Sequence, residues 1–199
     1  MKTKHLLFAS LAIMAGLIAF ALLFRDRFLA LLNQPALAVH ARFVHIAAAT
    51  VFFANAAIGM LWERRSLLSG RKEVILQTYE TVAWLDARLS SPLIILSLVA
   101  GLVLGVTGGG LFETGWLSWS FFLFLFSGIF WVLSDIPTQY KVKRLMAGID
   151  PEDPALPAEL IRLLRLRWWI SLAGVAPLVV VFLFMVYKPA LVPLAALFR

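Results

Sequence analysis

No cysteine occurs among the 199 residues, which removes disulfides, thiolate metal sites, iron–sulfur clusters and covalent CxxCH haem attachment. Charge is scarce as well: Asp, Glu, Lys and Arg make up 15% of the chain. No acidic residue falls near the middle of an apolar run, which argues against a carboxylate-driven proton pump or antiporter. Histidine occurs three times, and Met14, Met60, Met146 and Met185 are scattered, so no His/Met copper cluster is visible. Thr107-Gly108-Gly109-Gly110 has neither a preceding strand nor the Lys-Ser/Thr pair of a phosphate loop.

What the chain has is apolar surface. Hydrophobic residues are 62% of it, more than a soluble domain can cover, and the composition is that of a polytopic membrane protein whose surroundings are the lipid bilayer. The net charge of +7 comes from basic residues that flank apolar runs and form no basic stripe on a soluble domain. No nucleic-acid partner is expected from that pattern, which is instead the footprint of loops held at a cytoplasmic face.

Five runs approach the ~20 residues needed to cross a bilayer core: Leu6–Phe24, Phe43–Trp62 (with a start as early as Ala38), Pro92–Val106, Trp116–Ile136 and Trp168–Tyr187. The third is short and needs Leu111 and Phe112, or a continuation through Trp84-Leu85. The first resembles a signal peptide with Ala36-Leu37-Ala38 as its cleavage site. Its long apolar core and the intervening Arg25-Asp26-Arg27 favour a retained span. The expected fold is all-α: a polytopic membrane helix bundle with a four-helix core plus an extra N-terminal transmembrane helix. It divides into 1–37 (N-terminal helix and outer loop), 38–187 (four-helix membrane domain) and 188–199 (short C-terminal tail).

Thirteen of the 18 basic residues fall at the N-terminus and in the loops after the second and fourth runs; the other five are Arg25, Arg27, Arg42, Lys188 and Arg199. The positive-inside bias puts the N-terminus in the cytoplasm and the C-terminus outside. Within those basic loops, residues 72–90 read as an amphipathic helix, with Ile75, Tyr79, Val82 and Leu89 opposite Lys72, Glu73, Glu80 and Arg88. Residues 155–169 suit a second helix at headgroup level, and Asp135 is expected at the cytoplasmic edge, paired with Lys141 or Arg144.

A polar line runs through the second span. Ala38, Ala41, His45, Ala48, Phe52, Asn55 and Gly59 recur at steps of three and four and so share one helix face. Imidazole and carboxamide groups are costly in hydrocarbon and turn toward protein or a cavity. His45 is the candidate metal ligand, for a haem iron. His40 is five residues away, about 140° around the helix, and cannot share its metal. Ser97, Gly101, Gly105 and Gly109 recur every fourth residue in the third span, the spacing that lets another helix approach closely. The fourth span joins aromatic residues, Trp131 among them, to Ser120, Ser127 and Ser134 at heptad spacing: either a lipid face with a packing seam or a wall against a flat ligand.

Val44-His45-Ile46-Ala47 through Trp62, a basic loop, Trp84-Leu85-Asp86 and Ser91-Pro92, followed by Thr107-Gly108, Gly115-Trp116-Leu117, Ser127-Gly128 and Ile136-Pro137-Thr138-Gln139, resemble a bacterial integral-membrane family, domain of unknown function 2269, over roughly residues 38–187. That family is similar in architecture to copper-resistance D-like proteins and to the HemJ type of protoporphyrinogen oxidase, which uses a membrane histidine and haem. The resemblance implies the bacterial inner membrane and sets His45 in the place of the first-helix histidine, while no second intramembrane histidine or lysine completes a HemJ-like site. Three classes stay open, and with them whether the protein is an enzyme: a protein binding b-type haem or quinone through His45, Asn55, Arg42 and Trp131; a HemJ-like oxidase; and a non-catalytic membrane subunit, scaffold or small-solute permease, acting as a homo-oligomer or with a membrane-protein partner.

Overall fold

A computed structural model describes residues 3–150, 152–153 and 155–198. Its regular elements are helices: α1 (Thr3–Leu23), α2 (Arg25–Leu32), α3 (Ala38–Ser69), α4 (Lys72–Leu85), α5 (Ser91–Thr107), α6 (Gly115–Phe130), α7 (Ile136–Ala147) and α8 (Ala158–Tyr187), with short 3-10 turns at Pro35–Leu37 and Leu194–Phe198. Two π turns, Asp86–Ser90 and Trp131–Asp135, join α4 to α5 and α6 to α7. The protein is an all-α, multi-pass membrane helix bundle.

Four helical stretches of the described residues are long and apolar enough to cross a membrane: Pro35–Ser69, Lys72–Thr107, Gly115–Ala147 and Ala158–Tyr187. They become five if the bent pair Phe8–Ala21 and Arg25–Leu32, at 111° to each other, counts as one span. Arg25-Asp26-Arg27 explains that bend, since three charges in succession do not continue into hydrocarbon. At 30 to 36 residues, the four stretches are roughly 45–54 Å long against a hydrocarbon core of ~30 Å. Their ends must therefore project, and the expectation of two separate helices at headgroup level is corrected accordingly. Residues 72–90 run on through a π turn into α5, and residues 158–169 are the first turns of α8.

Proline accounts for both π turns. Pro92 and Pro137 carry no N–H, and their rings crowd the carbonyl four residues back. The residue before each proline reaches one position further: Ser91 N–H bonds to the Asp86 carbonyl and Ile136 N–H to the Trp131 carbonyl. Each turn shifts the helix register by about one residue.

The chain divides into two compact units. The first comprises Met1–Ala56, Ala83–Ser118 and Leu191–Arg199. In it α1 packs on α5 and on the first π turn, and α2 packs on α5. The chain after α8 lies on the start of α6: Leu194 N–H donates to Ser118 Oγ at 3.2 Å. A Cβ on Gly115 would sit inside the Leu191 carbonyl, so only glycine permits that approach.

The second unit comprises Ala57–Val82 and Trp119–Ala190. Its apolar core is Ile75, Tyr79, Val142, Leu160 and Leu164, drawn from α4, α7 and α8. Ile75 and Tyr79 from the stripe of residues 72–90 and Leu160 and Leu164 from that of 155–169 thus bury in one core. Lys72 Nζ donates to the carbonyls of Asp150 and Asp153, at 2.7 and 2.6 Å, and ties the start of α4 to the turn before α8. Ser127 Oγ donates to the Gly174 carbonyl, three residues before Pro177, and ties α6 to α8.

Candidate functional site

In the first unit the stripe on α3 meets α5. His45 Nδ1 lies 2.7 Å from the Ser97 carbonyl and 3.3 Å from Ser97 Oγ. A carbonyl only accepts, so the shorter bond puts a ring proton on Nδ1, and in the neutral imidazole Nε2 then carries the lone pair. Gly101 makes the approach possible: a Cβ there would stand 2.9 Å from both Nδ1 and Cε1 of the imidazole. Asn55, about 15 Å further along α3, donates from Nδ2 to Ser90 Oγ at 2.8 Å. Ser90 ends the first π turn, which positions its hydroxyl. Ala48 and Phe52 are buried on the same stripe.

The other sequence-derived candidates take various places. Ser97 and Gly105 are buried on α5, and a Cβ on Gly105 would crowd Leu111 and Leu117, at 3.2 and 3.5 Å. Gly109 lies beyond the end of α5, in a turn whose φ of +110° suits glycine. Arg42 is exposed one turn before His45, and His40 is also exposed. Trp131 is half-buried and belongs to the second unit, at the start of its π turn. No group of three or more His, Cys, Asp or Glu side chains arranged to hold a metal occurs among the described residues.

The second unit holds a cluster absent from the sequence-derived candidates. Arg167 Nη1 on α8 meets Glu63 Oε1 on α3 at 2.6 Å, and Arg167 Nε stands 3.5 Å from Asp135 Oδ1 at the end of the second π turn. All three side chains are at most 5% exposed. Asp135 also accepts from Gln139 Nε2 at 2.9 Å and Ser171 Oγ at 3.3 Å. The pairing expected for Asp135 with Lys141 or Arg144 is corrected: Lys141 faces Glu159 across 3.8 Å in a solvated pair, and Arg144 is exposed. The π turn rotates Asp135 inward, where Arg167 meets it. The Tyr79 ring lies 5.5 Å from the Arg167 guanidinium carbon, and Trp168 Nε1 donates to the Met60 carbonyl at 3.1 Å.

A signal for this cluster does exist in the sequence. Gly59, Glu63 and Ser66 extend the α3 stripe by the same steps, and Leu160, Leu164, Arg167 and Ser171 form a matching stripe on α8. A family model described as "Predicted integral membrane protein (DUF2269)" matches residues 39–189. No curated protein and no solved structure matches the chain.

Proposed function

The chain belongs to the DUF2269 family of predicted integral membrane proteins, and from that premise we propose that His45 is the single protein ligand of a b-type haem. The observation that carries this reading is the 2.7 Å bond from Nδ1 to the Ser97 carbonyl. Ligating histidines are ordinarily held through the other ring nitrogen by a carbonyl or carboxylate, which sets the tautomer and aims the lone pair. The same tautomer favours iron over a quinone, whose carbonyl needs a donor that Nε2 lacks.

Among the described residues, the histidine and cysteine donors able to hold a haem reduce to His45. His40 is exposed on the wrong face, His5 is exposed on α1, and no cysteine exists. His45 would hold such a haem through Nε2, and the group would supply one-electron chemistry. Arg42 is the cation suited to its propionates, and Asn55 is a neutral neighbour on the same helix face. Expression with haem precursor, purification in detergent and an absorption spectrum test the proposal. A Soret band in wild type that disappears in His45→Ala is the expected result. A colourless wild type, or an unchanged band in the variant, overturns it.

The second reading is a non-catalytic membrane subunit, favoured by the nesting of the imidazole against Gly101, which makes the His45–Ser97 bond a tie between α3 and α5. A colourless protein whose melting temperature drops in His45→Ala selects it. The proposed setting is the bacterial inner membrane with the N-terminus in the cytoplasm, supported by the thirteen-to-five division of basic residues. Reporter fusions after Arg71 and Arg144 are expected to read cytoplasmic, and one near Gly110 external. An external signal after Arg144 reverses the orientation.

A further inference from the structure

Glu63, Asp135 and Arg167 bring two carboxylates and one guanidinium into a buried space of the second unit. Of the other charged or titratable side chains on the helices around them, Arg65, Glu73, Glu80, Tyr140, Lys141, Lys143, Arg144, Glu159, Arg162 and Arg165 are exposed. On α4, the Lys72 ammonium is held by the carbonyls of Asp150 and Asp153, and the Tyr79 ring lies against Arg167. Arg64 on α3 is exposed and sits over the Trp168 ring, 5.5 Å from its centroid. Gln139 on α7 and Ser171 on α8 are neutral donors to Asp135. The cluster as ionised therefore carries one negative charge in excess, and an uncompensated charge out of water is the costliest thing a buried site can hold.

A second observation points the same way. Tyr79 is 3% exposed, and its buried hydroxyl has no hydrogen-bond partner among the described residues. Buried hydroxyls are ordinarily bonded, to protein or to an ordered water. The ring that carries this one lies 5.5 Å from the Arg167 guanidinium carbon. Asp135 also stands at the end of a π turn, a local widening frequently found where helices do chemistry.

We propose that the Glu63–Asp135–Arg167 cluster is a proton-binding site, holding one exchangeable proton across its two carboxylates, with a water at Tyr79 Oη as the exchange partner. Uptake adds H⁺ from water to a carboxylate oxygen and takes the cluster from −1 to zero. Release returns the proton to water and forms no other bond. This site is separate from the His45 reading and stands or falls without it.

The test is infrared spectroscopy of the full-length protein at neutral pH, where exposed carboxyl groups are ionised. Glu63 and Asp135 are the buried acidic side chains among the described residues. Wild type is expected to show a protonated-carboxyl carbonyl band that shifts in heavy water. Loss of that band in Glu63→Gln or in Asp135→Asn assigns it to the cluster, and at least one of these isosteres is expected to melt like wild type because it mimics the protonated group. Absence of the band from wild type overturns the proposal, and that result needs no variant to fold. A band retained in both variants overturns it too. So does a melting temperature that changes when Na⁺ replaces choline at constant ionic strength, which assigns the site to a metal cation.

Discussion

The two units bury polar groups in opposite ways. In the first, α3 is tied to α5 and to the π turn before it by neutral pairs, His45 with Ser97 and Asn55 with Ser90. In the second, α3, α8 and the other π turn are tied by charges, with Arg167 between Glu63 and Asp135. A neutral hydrogen bond contributes about 0.5–1.5 kcal/mol net and can be lost without losing the fold. A buried charge cannot lose its partner so cheaply, because the group left behind has neither water nor a counter-ion. In the neutral tautomer that donates to Ser97, His45 Nε2 carries a lone pair, whereas the carboxylates of the charged site face a guanidinium. The ligand position proposed above lies in the first arrangement, and the proton site proposed above in the second.

The largest expected effect therefore lies in the second unit. Arg167→Leu strands two buried carboxylates and is expected to cost roughly 3–5 kcal/mol, enough to abolish recovery of monodisperse protein in detergent. A variant that elutes and melts like wild type would erase the distinction between the units. Next comes overpacking in the first unit. Gly101→Leu drives a side chain into the imidazole and is expected to cost ~1–3 kcal/mol, read as a lower melting temperature. Gly105→Leu meets Leu111 and Leu117 instead, so its melting point is expected to fall while the environment of His45 stays unchanged. Equal loss of His45 function in both variants would contradict the separate roles given to the two glycines.

Smaller still is the Asn55–Ser90 pair. A double-mutant cycle on Asn55→Ala and Ser90→Ala is expected to return a coupling of about 0.6 kcal/mol, the average for such pairs between membrane helices. A coupling as large as that of the charged cluster would mean that neutral pairs in this protein are not expendable. The solvated Lys141–Glu159 pair sets the floor. Glu159→Gln is expected to change stability by less than about 1 kcal/mol, and a larger loss would show charge mattering without burial.

Much of this contrast is readable in the chain. The spans follow from the apolar runs, and the stripe from Ala38 to Gly59 places His45 and Asn55 on the face that meets α5 and the π turn before it. The next step of four reaches Glu63, but Trp62 ends the apolar run, and an acidic residue followed by Arg64 and Arg65 looks like the start of a loop. Arg167 is hidden in the same way among Arg162 and Arg165, though its spacing from Leu160 and Leu164 marks the buried face. Composition shows where a helix is apolar enough for lipid and is blind to how far it continues into protein. The small-residue spacing of α5 likewise signals room for close approach without saying that an imidazole, rather than a backbone, comes in at Gly101. The π turns are foreshadowed only by Pro92 and Pro137, and the inward rotation of Asp135 follows from one extra residue that hydropathy does not register.

The central claim is that the neutral site offers a ligand position, at His45 Nε2. Its most direct test is chemical rescue. His45→Gly, purified after expression with haem precursor, is expected to lose the Soret band and to recover it when free imidazole occupies the vacated space. A wild type without the band, or a variant that keeps it before imidazole is added, would contradict the claim.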